Sequence, residues 1–164
     1  MFYPSLILLA VTASVLAGDD QCGRFFEDGI IMKCCKGKIP TPSPEFQAMY
    51  KECQSLPSGP GSCERETCIS TKKGFMTPDG KLDISKIKEK MEKEVEVDPE
   101  LYKAINEDCT QENLAKFAPP DVCDPIKMER CIQLQIAKTC PDWANDGPCE
   151  GLKDLSPICK KKYA

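Results

Sequence analysis

Cys131-Ile-Gln-Leu-Gln-Ile-Ala-Lys-Thr-Cys140-Pro141 decides how the chain is read. Two cysteines with eight residues between them are joined by an amphipathic helical pattern, and a proline follows the second. On a helix, positions nine apart differ by about 180°, so the two sulfurs point to opposite sides and cannot bond to each other. Each must reach a different neighbour. The segment is therefore expected to be a strut held from both flanks. Pro141 has no N–H to continue the ladder, so the helix should end near Cys140.

Working outward from the strut, Asp124-Pro125 supplies an opening signal, and Met128, Cys131, Ile132 and Ile136 form its expected inward stripe. Upstream, the same cap-then-proline signal appears at Asp98-Pro99, before Leu101, Ile105 and Cys109 spaced four apart. Leu114 and Phe117 add apolar material before Pro119-Pro120. Ser43-Pro44 opens a helix to about Ser55 with Phe46, Met49, Tyr50 and Cys53 on one side. Ser62 is placed to cap a helix carrying Cys63 and Cys68, closed by Gly74. Thr77-Pro-Asp-Gly80 reads as a turn, and Asp83 as the cap of a helix with the stripe Ile84, Ile87, Met91 and Val95. Ile39-Pro-Thr-Pro-Ser-Pro44 is a stiff connector and Leu56–Gly61 a turn-rich break. After Pro141 come Trp143, an Asn145-Asp-Gly147 turn, and a short tail with Cys149, Leu152, Leu155, Ile158 and Cys159. No run of alternating β-branched residues suggests a sheet. The expected fold class is all-α, a disulfide-cross-linked bundle of about six to eight short helices.

The 164-residue chain opens on an uncharged apolar run, Ser5–Val15, followed by the small residues of Val15-Leu16-Ala17. This reads as an export signal over residues 1–17, leaving 18–164 as one domain with a cysteine-rich C-terminal extension, 141–164. The run is shorter than the roughly 20 residues a membrane span needs, so no stable membrane insertion is expected. All twelve cysteines lie after it, and in an exported chain an even number implies six disulfides. Adjacent Cys34 and Cys35 should bind separate partners.

A net charge of −4 argues against nucleic acid as partner. The chain has no histidine. That removes Ser-His and Cys-His nucleophile pairs and any histidine-containing zinc site. An all-cysteine metal site would want C-x₂-C knuckles, which the chain lacks. Paired carboxylates can drive glycoside hydrolysis, but the Asp and Glu residues here mostly fall at caps, in turns or on outer helix faces. No catalytic residue, metal or cofactor is expected.

From Cys63 the spacing runs C-x₄-C-x₄₀-C-x₁₃-C-x₇-C-x₈-C-Pro-x₇-C-x₉-C. This resembles the insect odorant-binding proteins, and within them the Plus-C subgroup, which carries an extra cysteine between the fourth and fifth family positions, more beyond the sixth, and a proline directly after the sixth. Cys123, Cys140-Pro141, Cys149 and Cys159 match those features. The chain departs from the pattern in two respects. Four residues rather than three separate Cys63 from Cys68, so their helix must distort or begin late. Either Cys34 or Cys35 can stand for the family's first cysteine.

The resemblance implies the bonds Cys35–Cys68, Cys63–Cys131 and Cys109–Cys140, the last two gripping the strut from opposite sides. Cys123–Cys149, Cys22–Cys53 and Cys34–Cys159 would complete the set. It also implies a secreted, extracellular carrier of small hydrophobic ligands, held in an apolar cavity among the helices. The expected lining is Met49, Phe75, Ile87, Met91, Leu101, Ile105, Leu114, Ile132 and Ile136. A membrane odorant receptor as downstream partner and a homodimer as assembly remain open. So does a different class, a disulfide-rich interaction or inhibitory protein with a filled core.

Overall fold

The structure, a computed structural model, describes residues 21–27, 29–36, 43–58, 62–94 and 98–163. The expected export signal, the 39–42 connector, Gly59–Gly61 and Val95 lie outside the described residues. Within them are seven α-helices. These are α1 (Ile30–Cys34), α2 (Pro44–Cys53), α3 (Glu64–Lys72), α4 (Ile84–Glu94), α5 (Pro99–Asp108), α6 (Asp124–Thr139) and α7 (Leu152–Lys162). Short 3-10 turns occupy Cys22–Phe26, Leu114–Lys116 and Gly147–Cys149. The fold is a disulfide-cross-linked all-α one.

Local chemistry sets most helix ends. The Ser43 side chain accepts from the Phe46 N–H at 3.1 Å, and Asp98 accepts from the Glu100 N–H at 2.9 Å, each satisfying an orphan donor of a first turn. Asp83 does the same for the Lys86 N–H at 3.1 Å. At the end of α3, Gly74 sits at φ 72°, its N–H donating to the Thr71 carbonyl while the Phe75 N–H donates to Ser70. This double closure needs a left-handed residue, which glycine adopts without strain. Ser62 is not the cap of α3. Its hydroxyl turns back to the Pro57 carbonyl, and Cys63 takes the cap position. The helix thus begins late, and the unusual Cys63–Cys68 spacing costs no distortion.

The strut itself is α6, ending at Thr139 with Cys140 as its C-cap. It is more deeply enclosed than one inward stripe requires. Leu134, Gln135, Ile136 and Ala137 are all buried, and four consecutive residues cover every direction around a helix. Ile132, expected inside, is only half-buried.

All six disulfides form, and Cys131 and Cys140 do bind different neighbours, but every expected pairing is corrected. Cys109 joins Cys131 rather than Cys140, because α5 lies along α6 with its last residue at mid-helix. Cys140 joins Cys35 beside a two-residue antiparallel ladder pairing Cys35 with Trp143 and Lys36 with Asp142. That ladder departs from all-helical structure, and its strands are too short to leave a period-two signal. Cys63 joins Cys123 rather than Cys131, since both stand at helix N-caps. Cys53 joins Cys68 across the packed pair α2 and α3, so neither Cys22–Cys53 nor Cys35–Cys68 forms. Cys34 reaches Cys149 and Cys22 reaches Cys159, replacing Cys123–Cys149 and Cys34–Cys159. Adjacent Cys34 and Cys35 do take separate partners.

The tail is also corrected: residues 152–162 form α7 despite Pro157 inside it. Pro157 and Ile158 face solvent, while Leu152, Ser156 and Cys159 are buried at helical spacing. The Ser156 hydroxyl donates to the Ala137 carbonyl at 3.1 Å, and Lys160 Nζ donates to the Lys138 carbonyl at 2.9 Å. These bonds satisfy carbonyls at the exposed end of α6, which Pro141 and the helix terminus leave without donors. The N-terminal turn completes this end: Arg24 donates to the Pro148 and Glu150 carbonyls, and Phe25 meets Trp143 edge-on at 6.0 Å.

Candidate functional site

Apart from Met49, the expected ligand-lining residues fall on five elements. Ile87 and Met91 lie on α4, Leu101 and Ile105 on α5, and Ile132 and Ile136 on α6. Leu114 begins the 3-10 turn after α5, and Phe75 ends the α3 closure. The apolar cluster contains Ile87, Leu101, Ile105, Leu114 and Ile136 as buried members, with Phe75, Met91 and Ile132 packed half-exposed against it. These eight side chains, five buried below and three half-exposed as a rim, belong to the same apolar core as Phe25, Leu134 and Leu152. Met49 does not join them. It sits half-buried on α2, whose principal neighbour is α3, and lies outside the cluster.

The loop Phe75–Asp83 leads from the α3 closure into α4. The Gly80 N–H donates to the Thr77 carbonyl, the Thr77 N–H donates to Lys81, and the Asp83 N–H returns to Phe75 at 2.7 Å. Thr77 and Lys81 both hydrogen-bond Asp79 and hold its carboxyl below the ordinary 3.8. The loop is therefore tight, and it presents Met76 and Leu82 opposite one another in a single bridge. A surface groove of about 460 Å³ runs between Thr77, the start of α4 and Thr110-Gln111. Its floor includes Leu82 and Ile84, which belong to the apolar cluster or pack against it. Other depressions lie on the outer faces of α3 and α7 and between α6 and α7, and none of these, nor the groove beside Thr77, is lined by any of the nine expected residues.

At the rim, the lysine ammonium groups lie over aromatic rings. Lys73 Nζ is 4.2 Å from the Phe46 ring centre and 5.6 Å from that of Phe75, and Lys90 Nζ is 5.7 Å from Phe75. Such contacts keep the aromatic faces partly covered while leaving the charges in water.

The α4 wall is tied to α5 by polar side chains. Lys88 Nζ donates to the Asn106 carbonyl at 2.6 Å. Burial pushes the Tyr102 phenol above its ordinary 10.0, and the charge of Glu92 and a hydrogen bond to it push the same way. The phenol stays protonated at neutral pH and donates to that carboxylate. On the other side, Asp108 meets Lys138 at 3.0 Å, locking α5 to α6 beside the Cys109–Cys131 bond.

One residue of the central strut went unread as a functional candidate. Gln135 has no exposed surface, yet its Oε1 finds no partner among the described residues. Its Nε2 lies 3.9 Å from the Cys131 sulfur, a weak acceptor. The available signal was its position four residues after Cys131, on the same face of the helix.

The arrangement fits apolar burial with one internal polar group. Among the described residues there is no cluster of three His, Cys, Asp or Glu placed to hold a metal.

Residues 66–135 match a model of the PBP/GOBP family. This is the insect odorant-binding protein family, and the match supports the family reading of the chain. The matched stretch is less than half of the whole. It runs from α3 through most of α6 and so includes seven of the nine expected lining residues, with Ile136 one position beyond its end and Met49 well before its start. Cys140-Pro141, Cys149 and Cys159 also lie outside it. No curated protein and no solved structure matches the chain.

Proposed function

We propose that the protein is a carrier of small hydrophobic molecules, binding them between α4, α5 and α6. The observation that carries this reading is a coincidence of position. The stretch that matches the PBP/GOBP family is the one that builds the apolar floor and rim. A ligand there is held mainly by burial, at about 0.8 kcal/mol for each methylene removed from water. Methionine at the rim suits a tolerant wall, because its side chain is flexible and polarizable. Such a site binds, releases and does no bond chemistry, so the function is carriage rather than catalysis.

The finer assignment is the Plus-C subgroup, supported by Cys123, by Pro141 after Cys140, and by Cys149 and Cys159, both of which are paired. Secretion is supported by the six disulfides, which persist in oxidising compartments, and by the apolar N-terminal run. No described helix is long and apolar enough to cross a membrane. Odorants, pheromones or similar semiochemicals are the ligand class, and transfer through aqueous lymph is the task.

A second reading, an interaction protein with a filled core, is favoured by one observation: five of the expected lining residues are already buried without a ligand. Displacement of an apolar fluorescent probe separates the two. The carrier binds the probe at micromolar concentration and releases it to long-chain alcohols, aldehydes or terpenoids. Absence of probe binding by correctly oxidised protein would leave the interaction reading standing.

A further inference from the structure

We infer that Gln135 anchors the polar end of the ligand, and that this end is a hydroxyl group on an apolar chain. The inference deepens the carrier reading and rests on it. Gln135 is fully buried in the second half of α6, which has more buried residues than any other described helix, with Oε1 unpartnered among the described residues. The other two buried oxygens without partners differ. Gln133 places its Nε2 on Glu129 at 3.1 Å, and Glu66 binds Ser58 and Arg65 through its other oxygen at 3.0 and 3.2 Å. Gln135 has only the 3.9 Å approach to a disulfide sulfur. Both ends of its amide therefore have capacity to spare.

Helical geometry places that amide at the expected lining. Relative to position 135, Ile132 is turned by about 60° and Ile136 by about 100°, on the side away from Cys131. Gln135 thus stands between the Cys109–Cys131 bond and the two isoleucines. A core position of this kind is ordinarily filled by an apolar side chain of similar size, since a buried polar group without a partner is unfavourable. An amide here is explained by a group that bonds it when the site is filled.

The chemistry selects the group. An amide offers one acceptor and two N–H donors, and exchanging its oxygen and nitrogen does not change that set. A hydroxyl both donates and accepts, so it satisfies both ends. An ether, ester or aldehyde accepts only and leaves Oε1 unpaired. A carboxylate would bring a charge, and the buried cation of the same helix, Lys127, is eight residues or about 12 Å toward its start and bonded to Asp124.

The test compares 1-dodecanol with 1-methoxydodecane as competitors of an apolar fluorescent probe, in the intact oxidised protein. The wild type should prefer the alcohol by about tenfold. In Gln135→Met, which keeps the length of the side chain, that preference should vanish, with alcohol affinity falling more than ether affinity. Gln135→Leu should behave alike, and circular dichroism verifies that each variant is folded. A wild type without preference for the alcohol overturns the inference before any variant is made. A preference retained in the variants, even with raised thermal stability, overturns it too and makes the amide a purely internal group. If neither compound displaces the probe from the wild type, the carrier reading itself fails and the anchor with it.

Discussion

Two regions packed on the same core are held in different ways. Around the ends of α6 and along α7, the chain is stitched by Cys22–Cys159, Cys34–Cys149 and Cys35–Cys140, which tie the first described segment to the last. Arg24, Ser156 and Lys160 add hydrogen bonds to carbonyls across the same seam. Helix α4 contains no cysteine and none at its preceding cap, and among the seven described helices it alone has no disulfide in it or at a cap. Its ties are non-covalent, among them Ile87 in the core, Lys88 on the Asn106 carbonyl and the Glu92–Tyr102 bond. Covalent bonds stay closed during local opening, whereas side-chain ties reopen with the ordinary fluctuations of the native state. Under the proposed carrier function, the difference would give the two regions different work: a fixed back wall, and a front wall able to yield to an entering molecule.

The largest expected effect falls on the stitched side. Replacing the six cysteines of Cys22–Cys159, Cys34–Cys149 and Cys35–Cys140 by alanine removes every link across the seam, at separations of 137, 115 and 105, and should cost at least about 4–5 kcal/mol in chemical denaturation, against about 3 kcal/mol for the short Cys53–Cys68 link. The reverse order would show that the seam is not the main constraint. Next comes the centre of the strut: Leu134→Ala, at a side chain 1% exposed, should lose about 2–5 kcal/mol. A loss below that range would mean that α6 is less enclosed than its burial indicates.

On the yielding side the effects are smaller and local. Tyr102→Phe deletes the bond to Glu92 and should speed amide hydrogen exchange in α4 while leaving α6 unchanged. The pH dependence follows from the sign of the shift. The folded phenol titrates above the unfolded value of 10.0, so its contribution is complete below pH 10 and is lost as pH rises through the folded value. The difference in helical signal between wild type and Tyr102→Phe should therefore close only above about pH 10. The smallest effect is none at all: with no histidine in the chain, probe affinity should be nearly constant between about pH 7.5 and 5.5. A steep loss there would reveal a carboxylate at the site that titrates well above its usual range.

The helices were legible because their signals are local. Ser43-Pro44, Asp98-Pro99, Asp83 and Gly74 each carry their own capping chemistry, and Pro141 ends α6 where its missing N–H requires. The opposed sulfurs of Cys131 and Cys140 followed from helical geometry alone. Their partners did not, because a pairing depends on how helices lie across one another, which no local spacing records. Borrowing the pairing from a resemblance replaced that missing information with another chain's arrangement. The segment expected only as a short tail is helix α7, with Pro157 on its outer face while the inner face keeps its period. At the candidate site, apolar periodicity found eight residues that do converge. It added Met49, whose helix packs on α3 instead, and it passed over Gln135, since a polar residue on an inward face is invisible to a search for apolar ones.

Under the proposed carrier function, α4 is the wall that admits the ligand while α6 stays fixed behind it. Hydrogen–deuterium exchange with and without saturating 1-dodecanol tests this most directly. Exchange in α4 should be faster than in α6 before the alcohol is added, and protection on binding should appear chiefly in α4, with α6 nearly unchanged. Equal protection of both helices in the free protein, or protection gained only at α2, α3 or α7, would contradict it.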